Sequence, residues 1–210
     1  FKLGLNLKPN NDWTLSSNYV DSRTTDLISS FPTGTSQIEA AFPERFIRDA
    51  IAAQFPGDTV IGEEAGGRSH GQAGERIWII DPIDGTANFA HGDRNWCISI
   101  GFLADRRPEI GVVAAPALGE LYAARRGGGV TLNGAPIQVS GGADIARASI
   151  ELGWSTRVPA ERYVEIIGRT YAAGAAVKRS GSGTLGLCHV ANGSSDAYAE
   201  LHINAWDCAA

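Results

Sequence analysis

Residues 77–86 read Ile-Trp-Ile-Ile-Asp-Pro-Ile-Asp-Gly-Thr, and this segment says more about the architecture than any other. Its first four residues form a short apolar run, which predicts a buried strand in a sheet that is covered on both faces. Pro82 has no backbone N–H and a fixed φ, so we expect the strand to end at Asp81. The segment therefore predicts that Asp81 and Asp84 lie at a strand end, directly before a Gly-Thr turn.

Two aspartates in this position are typical of a site for a divalent metal and a phosphate. Hard cations such as Mg²⁺ take oxygen ligands and keep several waters, which leaves room for phosphate oxygens. Gly85 allows backbone N–H groups to approach an anion closely, and the hydroxyl of Thr86 could orient a water. The alternative is that Asp81 and Asp84 only cap a turn or a helix start, which the short Asp-x-x-Asp pattern by itself favours.

Further acidic residues follow other predicted elements. Glu63 and Glu64 come directly after a second predicted strand at residues 59–61. Adjacent acids repel each other unless a cation or solvent separates them. Asp207 falls at the predicted N-terminus of a small-residue helix, where the helix dipole favours an aspartate. Metal binding and helix capping are therefore both open for Asp207.

Together these motifs resemble the inositol monophosphatase family of Mg²⁺-dependent, Li⁺-sensitive sugar-phosphate phosphatases. The resemblance is carried, in order and spacing, by Phe55-Pro56 through Gly62-Glu63-Glu64, by Asp81-Pro82-Ile83-Asp84-Gly85-Thr86-Ala87-Asn88-Phe89, and by Trp206-Asp207. Hairpin-like segments between Gly111 and Ile137 also match, so the resemblance covers residues 44–210. Pattern alone predicts an α/β or α+β fold. The resemblance implies a layered αβαβα sandwich of the inositol monophosphatase and fructose-1,6-bisphosphatase type.

The resemblance also implies a role for each site residue. The metals would be held by Glu63, Asp81, Asp84, Asp207 and the carbonyl of Ile83, and Glu64 would support these ligands from behind. The phosphate would be received by Gly85 and Thr86. The hydroxylated part of the substrate would be contacted by Gly181, Ser182, Gly183 and Glu200, together with Asp84 and Asp207. Catalysis is assigned to Thr86, Asp84 and Glu63.

The implied reaction is hydrolysis of a small sugar or polyol phosphate by a metal-activated water, with inositol 1-phosphate as the leading substrate. Two ions held about 3.5–4 Å apart can clamp the attacking and leaving oxygens of this very slow reaction. An all-oxygen ligand set favours Mg²⁺ or Mn²⁺ over Zn²⁺, and the resemblance implies two or three ions and inhibition by Li⁺. Histidinol phosphate, fructose 1,6-bisphosphate and 3′-phosphoadenosine 5′-phosphate stay open as alternative substrates.

One departure from the family pattern concerns the water-activating pair. The family carries a Val-Thr-x-x-Asp segment whose aspartate pairs with the threonine of the Gly-Thr turn. Here the aligned residues 36–40 place Ala40 where that aspartate belongs, with Glu39 beside it, and Asp26 is an imperfect alternative. The family's upstream lysine-bearing loop is not recognisable either. A non-catalytic member that binds metal or phosphate is therefore a second hypothesis.

A rival from another enzyme class lies at residues 181–186, which fit the dinucleotide pattern Gly-x-Gly-x-x-Gly and have Glu200 downstream. By itself this pattern indicates an NAD-dependent oxidoreductase. However, residues 177–180 are a poor buried strand, and the acid is too close for a full βαβ unit. We favour the alternative in which these glycines open a helix whose exposed N–H groups face the substrate.

Hydrophobic periodicity predicts the surrounding elements. Residues 44–55 read as a helix that Pro56-Gly57 ends, and residues 96–139 read as β-strands, the last of them at 137–139. Pro159 opens a second helix with an apolar stripe that predicts a core-facing surface, formed by Tyr163, Ile166, Ile167, Thr170 and Tyr171.

The same patterns suggest two parts with the site between them. We expect an N-terminal α+β part at residues 1–140, which carries the metal-binding motifs, and a C-terminal α/β part at residues 141–210. Family members continue for another strand and helix, so we expect the second part to be truncated at its end.

Composition limits the partners. The chain has 210 residues, 43% of them hydrophobic, and a net charge of −5, which argues against nucleic acid or an anionic membrane as its main partner. No apolar run approaches the ~20 residues of a membrane helix, and the start lacks a signal-peptide pattern, so we expect a cytoplasmic protein. The expected ligand is a small phosphorylated substrate, and the resemblance implies a homodimer.

The thiols and imidazoles have simpler explanations than ligand binding. The cysteines are not spaced as zinc ligands and lie in apolar contexts, so we expect buried free thiols at Cys97, Cys188 and Cys208. Histidines could be general acids or metal ligands, but an oxygen-rich site does not need them. We expect surface or structural roles for His91, His189 and His202.

Overall fold

The computed structural model describes residues 2–10, 13–20, 44, 47–64, 66–69, 72–142 and 144–210. An antiparallel hairpin comes first, formed by β1 (Lys2–Asn10) and β2 (Trp13–Val20). A seven-stranded sheet follows, in the spatial order β3 (Thr59–Gly62), β4 (Arg76–Asp84), β5 (Cys97–Ala104), β6 (Arg107–Ala115), β7 (Glu120–Arg125), β8 (Gly129–Leu132) and β9 (Ala135–Pro136). The helices are α1 (47–54), α2 (Thr86–Ala90), α3 (Ala160–Ala172), α4 (Gly183–Ala191) and α5 (Ala205–Cys208).

The predicted buried strand is β4, which lies parallel to β3 and antiparallel to β5. Every residue from Ile77 to Asp84 is buried, which confirms a strand covered on both faces. The prediction that the strand ends at Asp81 is wrong, because it continues through Pro82 to Asp84. Its register against β5 shifts between Asp81 and Asp84, and a bulge of this kind tolerates a residue without a backbone N–H.

Helices cover both faces of the seven-stranded sheet. On one face, α1 packs against the sheet through Ile47 and Ile51. On the other face, α4 packs through Leu185 and Cys188. Successive side chains of a strand point to opposite faces, so Val112 joins the first core and Val113 the second.

A second sheet completes the layers. It has three parallel strands, with β10 (Ser149–Leu152) between β11 (Ala176–Lys178) and β12 (Ala197–Ala199). Helix α4 contacts both β5 and β12, and α3 contacts β11. The layers are therefore α1, the seven-stranded sheet, α4, the three-stranded sheet and α3, which confirms the predicted αβαβα sandwich.

Several predicted elements need correction. The helix at 44–55 is confirmed at Glu44 and at 47–54, and the helix after Pro159 is confirmed as α3. The strand at 137–139 is wrong, since β9 already ends at Pro136. The core-facing stripe of α3 is wrong at its end, where Tyr171 is 59% exposed.

The cysteine prediction holds in part. All three thiols are free, and Cys97 and Cys188 are buried between α4 and the seven-stranded sheet. Cys208 is exposed, contrary to the prediction, because it ends the four-residue helix α5.

The boundary at residues 140/141 stays a prediction. It lies between β9 and a 3₁₀ turn at Ile145–Arg147 that precedes β10. Within the described ranges, no helix is long and apolar enough to cross a membrane.

Candidate metal centre and substrate pocket

Three aspartates converge where β4 meets α5. One carboxylate oxygen each from Asp81, Asp84 and Asp207 lies within 4.8 Å of the other two. Asp81 and Asp84 are buried at the bulged end of β4, and α5 packs against that strand and brings in Asp207. Crowded carboxylate oxygens of this kind could hold a hard divalent cation.

Hydrogen bonds orient the two aspartates of β4. The Oδ1 of Asp81 accepts the backbone N–H of Ile83 at 2.9 Å. The Oδ2 of Asp84 accepts the hydroxyl of Ser182 at 2.5 Å and the backbone N–H of Thr184 at 2.8 Å. The last two donors belong to the start of α4, so helix packing sets the direction of the Asp84 carboxylate.

Asp207 has a capping role and a place in the cluster at once. Its Oδ2 accepts the backbone N–H of Asn204 at 2.9 Å, and the two residues form a capping box at the start of α5. The helix is tied to its neighbours by the Thr184 hydroxyl, which donates to the Asp207 carbonyl at 2.8 Å, and by the Ser99 hydroxyl, which donates to the Trp206 carbonyl at 3.1 Å. Helix capping by Asp207 is therefore confirmed, and metal binding by Asp207 stays a prediction that this geometry permits.

Glu63 lies apart from the three aspartates. It occupies the turn after β3, is solvent-accessible and lines the same pocket as Asp84 and Asp207, but it is outside the 4.8 Å cluster. Glu64 is also exposed, and its backbone N–H donates to Glu44 at 2.8 Å.

Crowding of like charges shifts the acids toward their neutral forms. Burial, followed by the charges of Asp84 and Glu63, raises the pKa of Asp81 to about 9. Burial raises the pKa of Asp84 as well, although its bonds from Ser182 and Thr184 oppose the rise. Partial burial of its carboxyl group, followed by the charge of Asp207, raises the pKa of Glu63 to about 7. A cation between these groups would relieve their repulsion, so the residues present fit a metal.

The Gly-Thr turn has the backbone that the sequence suggests. Gly85 adopts a left-handed conformation with φ 88° before α2, and a Cβ there would come within 2.8 Å of the Asn95 carbonyl oxygen. The Thr86 hydroxyl donates to the carbonyl of Ile83 at 3.0 Å. The candidate partners of Thr86 in water activation, Glu39 and Asp26, lie outside the described residues, as does Ala40 at the position of the family's aspartate.

A pocket of about 190 Å³ opens beside the cluster. Of the predicted site residues, its wall includes Glu63, Asp84, Gly181, Ser182, Gly183, Glu200 and Asp207. Those that do not line it are Glu64, Asp81, Ile83, Gly85 and Thr86. The assigned roles of all these residues stay predictions.

Glu200 lies in the pocket wall beside the start of α4, where a Cβ at Gly183 would come within 3.7 Å of its Oε2. The Tyr198 hydroxyl donates to its Oε2, and burial raises its pKa while this bond opposes the rise. Gly153 packs against the pair, and a Cβ at this position would lie 2.4 Å from both the Glu200 Oε2 and the Tyr198 hydroxyl oxygen.

The dinucleotide alternative conflicts with the hydrogen bonds that backbone N–H groups make at the start of α4. The N–H of Thr184 is taken by Asp84, and that of Leu185 donates to the Ser182 hydroxyl at 3.1 Å. These bonds occupy donors that a pyrophosphate would need at the start of α4. Two of the histidines fit the expected surface or structural roles, since His91 is exposed and His189 pairs with Glu151 at 3.0 Å, while His202 lines the pocket.

Sequence reasoning missed the residues that hold the ligands in place. Ser182 and Asn204 carried a signal, because Ser and Asn before a helix are typical N-caps, and Asn204-x-x-Asp207 resembles a capping box. Thr184 carried no such signal, because its backbone N–H meets Asp84 only through packing of α4 on the sheet. Glu44 was read only as part of a helix.

Comparisons with known proteins agree on one family. The sequence profile described as inositol monophosphatase family matches residues 38–210. Nus factor SuhB of Xylella fastidiosa is 34% identical over 170 residues, which are 80% of this chain and 60% of that protein. Human inositol monophosphatase 1 is 35% identical over 173 residues, which are 79% of this chain and 62% of that protein.

Solved structures give the same result. An inositol monophosphatase from Anabaena (Nostoc) sp. matches with a TM-score of 0.73 and 36% identity, covering 80% of this chain and 67% of that one. The chain spans about three-fifths of the length of the curated relatives it matches, between 60% and 63%. With a profile match across most of its length and this shared fold, the chain belongs to the inositol monophosphatase family.

Proposed function

We propose that this chain is a Mg²⁺-dependent phosphomonoesterase that hydrolyses a small sugar or polyol phosphate, with inositol 1-phosphate as the leading substrate. One observation carries the proposal: the Asp81, Asp84 and Asp207 oxygens lie within 4.8 Å of one another. A polar pocket large enough for a small molecule opens beside two of them.

Each residue would contribute one step of the reaction. Asp81, Asp84, Asp207, Glu63 and the Ile83 carbonyl would hold Mg²⁺, with Glu64 behind them. When bound there, Mg²⁺ would polarise the phosphate and lower the pKa of a water. Gly85 and Thr86 would orient the phosphate from the start of α2. No Ser or Cys nucleophile is needed, since the water attacks phosphorus directly.

The pocket wall would select the leaving group. The carboxylate of Glu200 can accept hydrogen bonds from hydroxyl groups, which suits a polyol, and the residues from Gly181 to Gly183 line the same pocket. A Chlorobaculum parvum relative named histidinol-phosphatase and human inositol monophosphatase 1 are both 35% identical to this chain. Overall identity therefore does not separate these substrates, and histidinol phosphate is the second candidate.

The family relationship supports the remaining parts of the proposal. These are two or three ions per site, replacement of Mg²⁺ by Mn²⁺, inhibition by Li⁺ and a homodimer. The proposal that the chain is cytoplasmic and has no nucleic-acid partner is supported instead by its composition, with a net charge of −5 and no long apolar run.

The test is phosphate release by the purified chain from four substrates: inositol 1-phosphate, histidinol phosphate, fructose 1,6-bisphosphate and 3′-phosphoadenosine 5′-phosphate. We expect release only with Mg²⁺, suppression by Li⁺, and loss in Asp84→Asn. Asp105→Asn is the matched control, because Asp105 lies in an exposed turn where it accepts the N–H of Gly74.

Failure to release phosphate from all four substrates would contradict the enzyme proposal. If the same protein still bound Mn²⁺, the result would favour the non-catalytic alternative.

A further inference from the structure

Glu63 differs from the other predicted carboxylate ligands in how it is held. The carboxylates of Asp81, Asp84 and Asp207 each accept a backbone N–H. Among the residues that the structure describes, no hydrogen bond reaches the carboxylate of Glu63. The position of this carboxylate therefore depends on the backbone of its turn.

That backbone is held by two residues at the start of α1. Glu44 is only 1% exposed, and its Oε2 accepts the N–H of Glu64 at 2.8 Å. Its Oε1 accepts the Nε–H of Arg48 at 2.6 Å. The residue that follows Glu63 is thus anchored to a buried carboxylate.

Arg48 binds the backbone both before and after Glu63. Its two terminal nitrogens donate to the carbonyl of Val60 at 3.0 Å, before Glu63, and to the carbonyl of Gly66 at 2.6 Å, after it. A planar guanidinium can make these bonds together because its N–H groups point along fixed directions. A lysine has one nitrogen and cannot reproduce the fork.

The side chain of Glu44 also packs closely against the backbone at Gly62. A Cβ at Gly62 would lie 2.3 Å from the Glu44 Oε1, so the carboxylate packs directly on the backbone before Glu63. The N–H of Gly62 donates to the Gly66 carbonyl at 3.0 Å and closes the turn. Residues on both sides of Glu63 are therefore fixed by one pair from the neighbouring helix.

A gain in stability does not by itself explain why an ion pair between Glu44 and Arg48 occupies this position. The charge of Glu44 is almost fully removed from water, and apolar residues of similar volume often stabilise a protein as well as a buried ion pair does. The specific bonds to Glu64, Val60 and Gly66 instead restrict where the Glu63 turn can lie.

We propose that Glu44 and Arg48 are positioning residues that fix the Glu63 turn in reach of the aspartate cluster and so set the affinity of the site for divalent metal. This inference rests on the proposed function in assuming that Glu63 contributes to metal binding. Neither residue lines the pocket, and both bind the backbone on the two sides of Glu63.

The test is Mn²⁺ binding by the purified chain, measured by titration calorimetry on wild type, Glu44→Gln and Arg48→Lys. We expect both variants to bind Mn²⁺ about 10-fold or more weakly, the usual range for residues that support a ligand. The matched controls are Glu109→Gln and Arg126→Lys, which alter an exposed ion pair of 2.5 Å far from the site and should leave the affinity unchanged.

A double-mutant cycle separates positioning from general destabilisation. In a Glu63→Gln background, Glu44→Gln should cause no further loss of Mn²⁺ affinity, because the residue it positions has already lost its charge. An equal loss in both backgrounds would overturn the proposal. So would an unchanged Mn²⁺ affinity in a folded Glu44→Gln or Arg48→Lys variant, and Arg48→Lys keeps the test valid if Glu44→Gln does not fold.

The outcome is independent of phosphate release. A wild type that binds Mn²⁺ without releasing phosphate contradicts the proposed function and leaves the cycle measurable. An active wild type with no effect of Glu44→Gln on Mn²⁺ affinity contradicts only the positioning role.

Discussion

The end of β4 and the turn after β3 present acids to one pocket but hold them in opposite ways. At the end of β4, Asp81 and Asp84 are buried, and their carboxylates accept hydrogen bonds directly. In the turn after β3, Glu63 is accessible to solvent, and only its backbone is fixed, through Glu44 and Arg48. Burial makes the first region depend on hydrogen-bond donors, whereas the second depends on a neighbouring helix.

Replacing one carboxylate in each region should give the largest contrast. Asp84→Asn removes a charge from the centre of the cluster, so we expect Mn²⁺ affinity to fall by more than the about 10–100-fold typical of supporting residues. Glu63→Gln should cost less, since Glu63 lies outside the cluster. Calorimetric titration of both variants measures the difference, with Asp105→Asn as control. Equal losses would contradict the contrast between the regions.

The stability of the metal-free protein should depend on pH through both regions. The folded-state pKa values of Asp81 and Glu63, about 9 and about 7, are above their ordinary values of 3.8 and 4.5. The folded state therefore binds more protons than the unfolded state, and the free energy of unfolding falls as pH rises through these windows. For one proton the slope is at most about 1.4 kcal/mol per pH unit.

Two substitutions, one in each region, should show how much of this pH dependence comes from each carboxyl group. Asp81→Asn should flatten the fall in stability up to about pH 9, and Glu63→Gln only up to about pH 7. Urea unfolding with EDTA across the pH range measures both profiles. A wild-type stability that rises between pH 5 and pH 8 would contradict the assigned direction of the shifts.

Removing one hydrogen-bond donor should test how far the orientation of the Asp84 carboxylate depends on it. Ser182→Ala deletes the hydroxyl that caps α4 and donates to Asp84, so we expect a loss of about 1–2 kcal/mol in the free energy of unfolding. Mn²⁺ affinity should also fall, by about 10-fold. Ser194→Ala is the control, since this exposed hydroxyl donates only to the His189 carbonyl. A stable variant with normal Mn²⁺ affinity would show that Ser182 is dispensable.

The smallest effect is expected at Gly153, which lines the pocket but supplies none of the predicted metal ligands. Gly153→Ala crowds Glu200 and Tyr198, so KM should rise severalfold while Mn²⁺ affinity stays unchanged. Gly168→Ala in α3 is the control, because nothing lies within 4 Å of a Cβ there. Steady-state kinetics with the preferred substrate checks the prediction, and a change in Mn²⁺ affinity would contradict it.

Sequence patterns were most informative where the interactions are local. The apolar run before Asp81, the turn at Gly85 and the helix start at Asp207 depend on neighbours within a few residues, and the chain indicated each of them, with capping one of two alternatives for Asp207. The continuation of β4 through Pro82 was not, because the bulge is defined by the register against β5. The exposure of Tyr171 was also missed, since a helical stripe shows which residues share a face but not what covers it.

By itself, the amino-acid sequence determined the resemblance to the family and the set of acidic residues at strand and helix ends, and the resemblance in turn implied the αβαβα layering. Only the tertiary structure decided that Asp81, Asp84 and Asp207 form one cluster, that Glu63 stands apart, and that Glu44 supports its turn. The physical reason is distance along the chain. Asp84 is held by donors 98 and 100 residues away and Glu64 by a carboxylate 20 residues away, and such contacts form only when the layers pack.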